Sequence, residues 1–178
     1  MNMRVVLIVA QSLDGFITRH DEAGVAWASS ADQSWFRSCL PKFDCQVMAS
    51  TTYGTVRDHL MTKLQDGCLR MVMTRRPQEF ASDQQPGALE FTADSPAEIL
   101  QSLTHSQRTT CALLGGATAH DEFLQAGLVD EIWVTIEPRI FGRGTPVVRQ
   151  SQDQKLELIS SERLPDSDSL VVRYRVSK

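Results

Sequence analysis

The sequence predicts an α/β fold in which helices flank a mainly parallel sheet that ends in an antiparallel hairpin. Short apolar runs alternate with helical patterns over the first three quarters of the chain, and parallel strands require such helical crossovers. The last part instead places two strand-like runs, 155–161 and 170–176, around a turn rich in proline, aspartate and serine. The chain has 178 residues without a linker or repeat, so we expect one domain over 1–178.

The first predicted strand is the most apolar of the set. Residues 3–10 form a continuous run, Met-Arg-Val-Val-Leu-Ile-Val-Ala, and turn-forming residues follow it. A strand without polar alternation is typical of the buried centre of a parallel sheet. Further strands are predicted at 44–49, 69–74, 88–91, 110–114 and 131–136.

Capping residues place the predicted helices between these strands. Ser30, with Gln33 three residues later, predicts the start of the first helix, and Pro41 predicts its end. The run Ser-Pro-Ala-Glu at 95–98 supplies an N-cap serine, a proline at the first helical position and a capping-box glutamate. The other two helices are predicted at 52–60 and 117–126, the latter closed by a glycine in the C′ position.

Composition excludes several classes of protein. Eighteen basic and 22 acidic side chains give a net charge of −4 and a pI near 5.5, so no broad basic surface is available for nucleic acid. The apolar run 5–10 is much shorter than the roughly 20 residues that span a bilayer, and too short for a secretory signal. The four cysteines form no Cys-x-x-Cys pair, so we expect reduced, mostly buried thiols in a cytoplasmic protein that binds neither nucleic acid nor membrane.

Several catalytic signatures are missing from the sequence. The Rossmann pattern Gly-x-Gly-x-x-Gly, the Walker Gly-Lys-Ser/Thr and the Gly-x-Ser-x-Gly elbow do not occur. The four histidines show no metal-binding spacing, and the zinc-deaminase signature is also missing. We therefore expect no metal site and neither metal-dependent nor serine-dependent hydrolysis.

Two segments at predicted strand ends are candidate phosphate sites. Gly115-Gly116-Ala117-Thr118 joins a strand to a helix, where small residues let a phosphate reach backbone N–H groups and the helix dipole favours an anion. Thr74-Arg75-Arg76 places two guanidinium groups at the end of another strand, which suits a nucleotide 2′-phosphate. The alternatives are a tight strand-to-helix turn and a solvated arginine pair.

Two carboxylates are candidates for acid–base chemistry. Asp14 follows the first strand, and Asp32 lies between the aromatic residues Trp27 and Phe36. An aromatic-walled cleft would desolvate Asp32, raise its pKa and let it bind a nitrogen heterocycle or relay a proton to it. The alternatives are a turn-forming role for Asp14, a helix-dipole role for Asp32 and a core role for the aromatic residues.

The segment 137–146, Glu-Pro-Arg-Ile-Phe-Gly-Arg-Gly-Thr-Pro, is a glycine-rich turn. Its glycines permit a close backbone turn, and its arginines could meet a substrate phosphate. Gly142 and Arg143 are therefore candidate substrate-binding residues, with a plain surface loop as the alternative.

Together these segments resemble the dihydrofolate reductase-like superfamily over about residues 4–149. Residues 12–17, Ser-Leu-Asp-Gly-Phe-Ile, resemble the Ser-Leu-Asp-Gly-x-Ile signature of the reductase domain of bacterial riboflavin biosynthesis and its stand-alone relatives. Residues 113–116, Leu-Leu-Gly-Gly, and 138–146, Pro-x-x-x-Gly-x-Gly-x-Pro, are similar to the same branch. The stretch 27–36 instead resembles dihydrofolate reductases proper, in which the aspartate contacts the pterin.

The resemblance implies a three-layer fold, NADPH as the hydride donor and, commonly, a homodimer. It implies that Ala10 and Ile17 line the nicotinamide and that Asp14 faces the substrate. The adenosine and diphosphate positions that it implies are Thr52, Thr74, Arg75 and the segment from Gly115 to Thr118. The family usually has Gly-Arg-x-Thr where this chain has Ala49-Ser50-Thr51-Thr52, so Ser50 replaces a cofactor-binding arginine, whose role Arg75 or Arg76 could take.

The predicted activity is hydride transfer from NADPH to a small-molecule substrate of riboflavin biosynthesis, as in 5-amino-6-(5-phosphoribosylamino)uracil reductases. Asp14 and Asp32 are its candidate catalytic carboxylates. One alternative is a reductase for dihydrofolate or another pterin, which the stretch 27–36 favours. A second alternative, motivated by the loss of the Gly-Arg pair, is a dimeric nucleotide-binding module without turnover.

Overall fold

A computed structural model describes residues 3–177, so residues 1, 2 and 178 of the predicted domain lie outside the described range. Its strands are β1 (Arg4–Ser12), β2 (Cys45–Ala49), β3 (Leu69–Met73), β4 (Leu89–Thr92), β5 (Thr110–Leu113), β6 (Glu131–Glu137), β7 (Leu156–Arg163) and β8 (Leu170–Val176). Its helices are α1 (Ser30–Cys39), α2 (Ser50–Met61), α3 (Pro96–His105) and α4 (Ala117–Gln125).

The strands form one sheet in the order β4-β3-β2-β5-β1-β6-β8-β7. The pairs from β4 to β6 are all parallel, whereas β8 pairs antiparallel with both β6 and β7. This arrangement confirms the predicted mainly parallel sheet with a C-terminal antiparallel hairpin.

Helices cover both faces of this sheet. Successive side chains of a strand point to opposite faces, and in β1 they belong to different clusters. Val5 and Leu7 pack with residues of α3 and α4, whereas Val6 and Ile8 pack with residues of α1. Helix α2 packs on β2, β3 and β4 through a third cluster. The three predicted layers are therefore present.

The start of α1 differs from the prediction. The N-cap is Ser29, whose Oγ accepts the backbone N–H of Asp32 at 3.1 Å, and Ser30 is the first helical residue. Adjacent serines give the same local signal, but only Ser29 is held by buried partners, Glu137 and Ser169. The capping box of α3 at 95–98 is confirmed, as is the C′ glycine after α4, which has a φ of +65°.

A crevice opens between β1 and β5 at their carboxyl ends. The two strands pair only as far as Leu7 and Leu113, while β1 continues beside β6 as far as Ser12. Beyond β5 the chain follows β2 instead, because the Leu114 N–H donates to the Val47 carbonyl at 2.9 Å. From β1 the chain continues through α1 to β2, on one side of the crevice, and from β5 it continues through α4 to β6, on the other side. Open α/β sheets bind ligands at such switch points.

Two further expectations concern membrane segments and cysteines. Within residues 3–177, no helix is long and apolar enough to cross a bilayer. The four cysteines are buried and free, as predicted. Over the same residues, no group of three or more histidine, cysteine, aspartate or glutamate side chains is arranged to hold a metal ion.

Candidate functional site

One wall of the crevice is the turn Gly115-Gly116. Gly115 has a φ of +99° and the peptide bond between the two glycines is cis. A Cβ at Gly115 would lie 3.1 Å from Nε2 of His120, and a Cβ at Gly116 would lie 3.3 Å from Oγ1 of Thr52. The turn therefore accepts only glycine without local shifts. It also brings Thr52 to the predicted diphosphate segment.

His120 lies directly behind this turn. Its ring is buried, and Nδ1 is 2.9 Å from the carbonyl oxygen of Val147. Burial lowers the pKa of His120, so a neutral ring that donates from Nδ1 has an acceptor at Nε2. That Nε2 has no hydrogen-bond partner among the residues that the structure describes.

The N-terminus of α4 forms the floor of the same wall. Gly116 is its N-cap and supplies no side-chain cap, so N–H groups of the first turn, at Ala117 and Thr118, remain available to an anion. Thr118 is exposed, and its Oγ1 accepts from Nη2 of Arg149 at 2.7 Å. Nε of Arg149 also donates to Asp121 at 3.2 Å. A guanidinium group thus lies beside the predicted phosphate site.

The other predicted cofactor residues lie along the same edge of the sheet. Thr74, Arg75 and Arg76 follow β3, and Ser50 is the first residue of α2, directly after β2. Arg76 pairs with Glu79 at 2.8 Å. The Arg75 side chain is exposed and forms no ion pair within residues 3–177. It is therefore available to a phosphate ester.

Ala10 and Ile17 lie at the β1 side of the crevice. Ala10 is half-buried and pairs with Thr135 across β1 and β6. Ile17 is also half-buried, and its backbone N–H donates to the carbonyl of Thr145 at 2.8 Å. Their assignment to the nicotinamide stays a prediction.

Asp14 binds the loop that follows β6. Its carboxylate accepts from Oγ of Ser12 at 2.6 Å and from the backbone N–H groups of Phe141 and Gly142. The bond from Ser12, assisted by the two backbone donors, lowers the pKa of Asp14. Asp14 therefore holds two loops together as an exposed anion, which favours the turn-forming alternative over proton transfer.

Asp32 has the opposite environment. It is buried in the first turn of α1, and this burial raises its pKa. The negative charge of Glu137 adds to the rise, while a contact with the Thr135 hydroxyl opposes it. The Thr135 hydroxyl makes no hydrogen bond of standard geometry with any described residue. Asp32 is thus a buried carboxyl group with capacity left for a ligand.

Glu137 is a second buried carboxyl group at this position. It is 2% exposed, and Oε1 accepts from the Ser29 hydroxyl at 2.8 Å. Over residues 3–177, neither Glu137 nor Asp32 forms an ion pair. The charge of Glu137 therefore acts on Asp32 without a cation between them in the described range.

The two aromatic residues predicted to bind substrate, Trp27 and Phe36, have different packing partners in the structure. Trp27 is buried against Phe141, with ring centroids 5.1 Å apart and planes nearly perpendicular. Its Nε1 is buried without a hydrogen-bond partner in the described residues. Phe36 instead packs on the cluster between α1 and the sheet, which favours the core alternative for this residue.

The loop after β6 folds over the segment that follows β1. A Cβ at Gly144 would lie 2.3 Å from the Thr18 carbonyl oxygen, so only glycine permits this contact. Gly142 gives its backbone N–H to Asp14 at 2.7 Å. Arg143 is exposed and lies 3.5 Å from Asp21. The guanidinium of Arg143 is therefore directed to an acidic surface residue.

Comparison with known proteins identifies the family. The model of the RibD C-terminal domain family matches residues 4–167. The chain belongs to this family. The RibD-type domain is also 24% identical to YwjB of Bacillus subtilis (strain 168) over 169 residues, which are 89% of this chain and 90% of YwjB.

Solved structures confirm the dihydrofolate reductase-like fold of this RibD-type domain. It resembles the Thermotoga maritima diaminohydroxyphosphoribosylaminopyrimidine deaminase/5-amino-6-(5-phosphoribosylamino)uracil reductase, with 19% identity and a TM-score of 0.78 over 99% of this chain and 57% of that chain. It also resembles Enterococcus faecalis dihydrofolate reductase complexed with NADP(H) and RAB-propyl, with 16% identity and a TM-score of 0.68 over 98% and 97% of the two chains.

Sequence reasoning missed four residues of this RibD-type site: Thr135, Glu137, His120 and Arg149. Thr135 and Glu137 are two residues apart on β6 and therefore share one face of the sheet, so two polar residues on one face of this strand are the local signal. His120 and Arg149 reach the glycine turn only through contacts between distant segments, and no local pattern marks them.

Proposed function

We propose that this RibD-type domain is an NADPH-dependent reductase that transfers hydride to a ribosylaminopyrimidine of riboflavin biosynthesis. The observation that supports the proposal most directly is the burial of Asp32, a carboxyl group with a raised pKa and no ion pair in the described range, in a chain whose Gly115-Gly116 turn admits no Cβ without close contacts. Ala10, the predicted nicotinamide neighbour, pairs with Thr135, which in turn contacts Asp32. The activity of the Thermotoga maritima relative supports the choice of substrate.

The residues at the glycine turn fit a dinucleotide. A Cβ at Gly115 or Gly116 would crowd His120 or Thr52, so the turn stays free of side chains, and the open N-terminus of α4 favours an anion. The backbone of this turn, with Thr52 and Thr118, would hold the diphosphate. Arg75 would hold the 2′-phosphate as an exposed guanidinium without an ion pair in the described range.

The chain's own residues supply positioning and proton handling. When bound, NADPH provides the hydride, and the protein orients it toward the substrate. Because burial raises the pKa of Asp32, this carboxyl group retains a proton closer to neutral pH than an exposed aspartate does. Asp32 can therefore hydrogen-bond the nitrogen of the substrate C=N group and give it a proton as the carbon of that group receives hydride.

Dihydrofolate or another pterin is the second candidate substrate, and Asp32 is the observation that favours it. A buried carboxylate without an ion pair can accept two parallel N–H donors from a planar nitrogen heterocycle. A ribosylaminopyrimidine additionally needs a cation for its phosphate. On the adjoining loop Arg143 could meet that need only by leaving Asp21.

Two measurements in sequence test the proposal. NADPH is titrated while tryptophan fluorescence is followed, and its oxidation is then measured with the ribosylaminopyrimidine and with dihydrofolate. We expect saturable quenching and oxidation with the ribosylaminopyrimidine. Oxidation of NADPH with dihydrofolate alone would indicate a pterin substrate instead. Binding without turnover would indicate a nucleotide-binding module, and no saturable quenching at millimolar NADPH would overturn the cofactor assignment.

A further inference from the structure

The guanidinium group of Arg149 is held at the N-terminus of α4. Its Nη2 donates to Oγ1 of Thr118, the second residue of that helix, at 2.7 Å. Its Nε donates to Oδ2 of Asp121, one turn further along, at 3.2 Å. The helix dipole alone disfavours a cation at this end of a helix and favours an anion. The position of Arg149 therefore becomes favourable when an anion lies between the guanidinium group and the first turn of α4.

Asp121 explains how Arg149 is held, but it does not use all of the arginine's donors. Asp121 is fully buried, and its Oδ1 accepts the backbone N–H groups of Arg149 and Gln150 at 2.9 and 3.3 Å. A guanidinium group has five N–H donors, and two of those on Arg149 have acceptors in the described residues. The others have no protein partner there, and the Arg149 side chain is 47% exposed. A fixed guanidinium group thus presents free donors to solvent.

His120 supplies an unpaired polar atom at the same turn. It is 1% exposed, and its Nε2 has no hydrogen-bond partner in the part of the chain that the structure describes. This Nε2 is directed at Gly115, because it lies 3.1 Å from the position that a Cβ of Gly115 would take. A buried polar atom without a partner calls for one from outside the chain. Nε2 can accept from a hydroxyl group or, after the ring takes up a proton, donate to a phosphate oxygen.

The helices beside the glycine turn supply no other guanidinium or ammonium group in their first turns. Residues 50–53 at the start of α2 are Ser-Thr-Thr-Tyr, and residues 117–120 at the start of α4 are Ala-Thr-Ala-His. Arg75 follows β3, which is separated from β5 by β2, and neighbouring strands lie about 4.8 Å apart. Arg75 and Arg149 are therefore suited to two different phosphate groups of one dinucleotide.

We propose that Arg149 binds the diphosphate of the dinucleotide, together with backbone N–H groups at the start of α4. The proposal rests on the proposed reductase function and names the cation that its cofactor requires. Arginine meets two phosphate oxygens through parallel N–H donors. Because NADPH and NADH share the diphosphate, Arg149 contributes to the affinity for both, whereas Arg75 acts on the 2′-phosphate alone.

Arg149→Ala tests this contact by fluorescence titration with NADPH and with NADH. We expect the two dissociation constants to rise by the same factor, about tenfold. Arg4→Ala is the matched control, because the Arg4 side chain is 43% exposed and pairs with Glu131 where β1 and β6 begin, at the sheet edge opposite the crevice. It should leave both constants unchanged. A rise confined to NADPH, or an equal rise in Arg4→Ala, would overturn the proposal.

A second variant separates binding from stability, since Arg149→Ala leaves the buried Asp121 without its guanidinium partner. The double variant Asp121→Asn/Arg149→Ala removes this buried charge as well, and the asparagine oxygen can still accept the two backbone N–H groups. We expect it to unfold at a higher temperature than Arg149→Ala and to bind both nucleotides as weakly. Wild-type dissociation constants in the double variant would show that the unpaired carboxylate caused the loss, and would overturn the contact.

Inorganic diphosphate separates this proposal from the reductase function. Its binding is measured by titration calorimetry, with neither nicotinamide nor substrate present. We expect the wild type and Arg4→Ala to bind it several-fold more tightly than Arg149→Ala and the double variant. If the wild type oxidises NADPH with neither substrate, the reductase proposal fails, and the dissociation constants still decide the contact. Equal diphosphate affinity in the wild type and Arg149→Ala would overturn the contact even where NADPH is oxidised. A wild type that binds neither a dinucleotide nor diphosphate would overturn both proposals.

Discussion

Asp14 and Asp32 carry the same carboxyl group in opposite environments. Hydrogen bonds from Ser12 and the loop backbone lower the pKa of the exposed Asp14, whereas burial raises the pKa of Asp32. Residues whose surroundings push their pKa values apart commonly divide structural and acid–base roles. This contrast supports Asp32 as the acid–base residue of the proposed reductase and Asp14 as a brace between two loops.

The stability of the Asp32→Asn variant tests whether folding buries the carboxyl group of Asp32. A carboxyl group whose pKa is raised by folding contributes stability at low pH, and this contribution is lost as pH rises through the folded-state pKa. The wild type therefore carries the cost of a buried charge at neutral pH, and the variant does not. We expect the variant to be more stable to urea by about 1–2 kcal/mol at neutral pH, with no difference near pH 3.

The kcat of the same variant tests the catalytic role of Asp32. Asp32→Asn should reduce kcat about a hundredfold and leave the NADPH dissociation constant unchanged. Asp14→Asn serves as the comparison, since its main expected effect is looser binding of the loop at 137–146. A larger loss of kcat in Asp14→Asn than in Asp32→Asn would reverse the assignment of the two residues.

Arg75 is the residue that would distinguish NADPH from NADH. It is exposed at the end of β3 and, among the described residues, has no ion-pair partner, whereas Arg76 is held by Glu79. Arg75→Ala should raise the NADPH dissociation constant about tenfold and change that of NADH little, as fluorescence titration would show. Arg76→Ala is the control and should have a smaller effect. Equal losses for both nucleotides would exclude a contact with the 2′-phosphate.

At the scale of helices and strands, the sequence predicts those features that residues close together in the chain determine. The capping box of α3 lies within four consecutive residues and was placed correctly. The start of α1 was placed one residue late, because Ser29 is selected by Glu137 and Ser169, which are remote in sequence. The sequence predicts the glycine turn as a phosphate segment, but its contact with His120 depends on how α4 packs.

The loop at 137–146 depends on one glycine. At Gly144 an added Cβ would meet the Thr18 carbonyl oxygen at 2.3 Å, and this atom belongs to backbone that cannot move away as a side chain can. Gly144→Ala is therefore expected to destabilise the protein by about 3 kcal/mol.

Gly67→Ala is the matched control for Gly144→Ala. Gly67 also has a positive φ, of +79°, but an added Cβ there meets nothing within 4 Å. Only the backbone preference of glycine is lost, which costs about 1 kcal/mol. Thermal unfolding of both variants measures the difference. Equal losses would show that the loop yields readily at Thr18.

At the scale of the whole molecule, the site combines segments that are far apart in the chain. The crevice requires β1 and β5 to part after Leu7, and the interaction of Asp32 with Glu137 requires α1 to lie over the end of β6. The alternation of strands and helices predicted the sheet, because each crossover is a local event. The pairing of Glu137 with the serine hydroxyls could not be predicted, because it joins α1, β6 and the final hairpin.

The final hairpin also presents the surface on which we propose that two copies associate. β7 is the last strand of the sheet, so its outer edge has free backbone donors and acceptors. Leu158 and Ile159 on this strand are 61% and 43% exposed, and the neighbouring Leu170 is 44% exposed. An antiparallel pair of identical edge strands is self-complementary about a twofold axis. We therefore expect a second copy of the chain at this edge.

Leu158→Lys tests this association. A lysine on the edge strand adds a positive charge to each copy and removes apolar area from the contact, which is how natural edge strands avoid pairing. We expect light scattering to give twice the chain mass for the wild type and the single chain mass for the variant. Val25→Lys, at an exposed apolar position outside the hairpin, should remain dimeric. A monomeric wild type, or a Leu158→Lys variant that stays dimeric, would place the contact elsewhere or remove it.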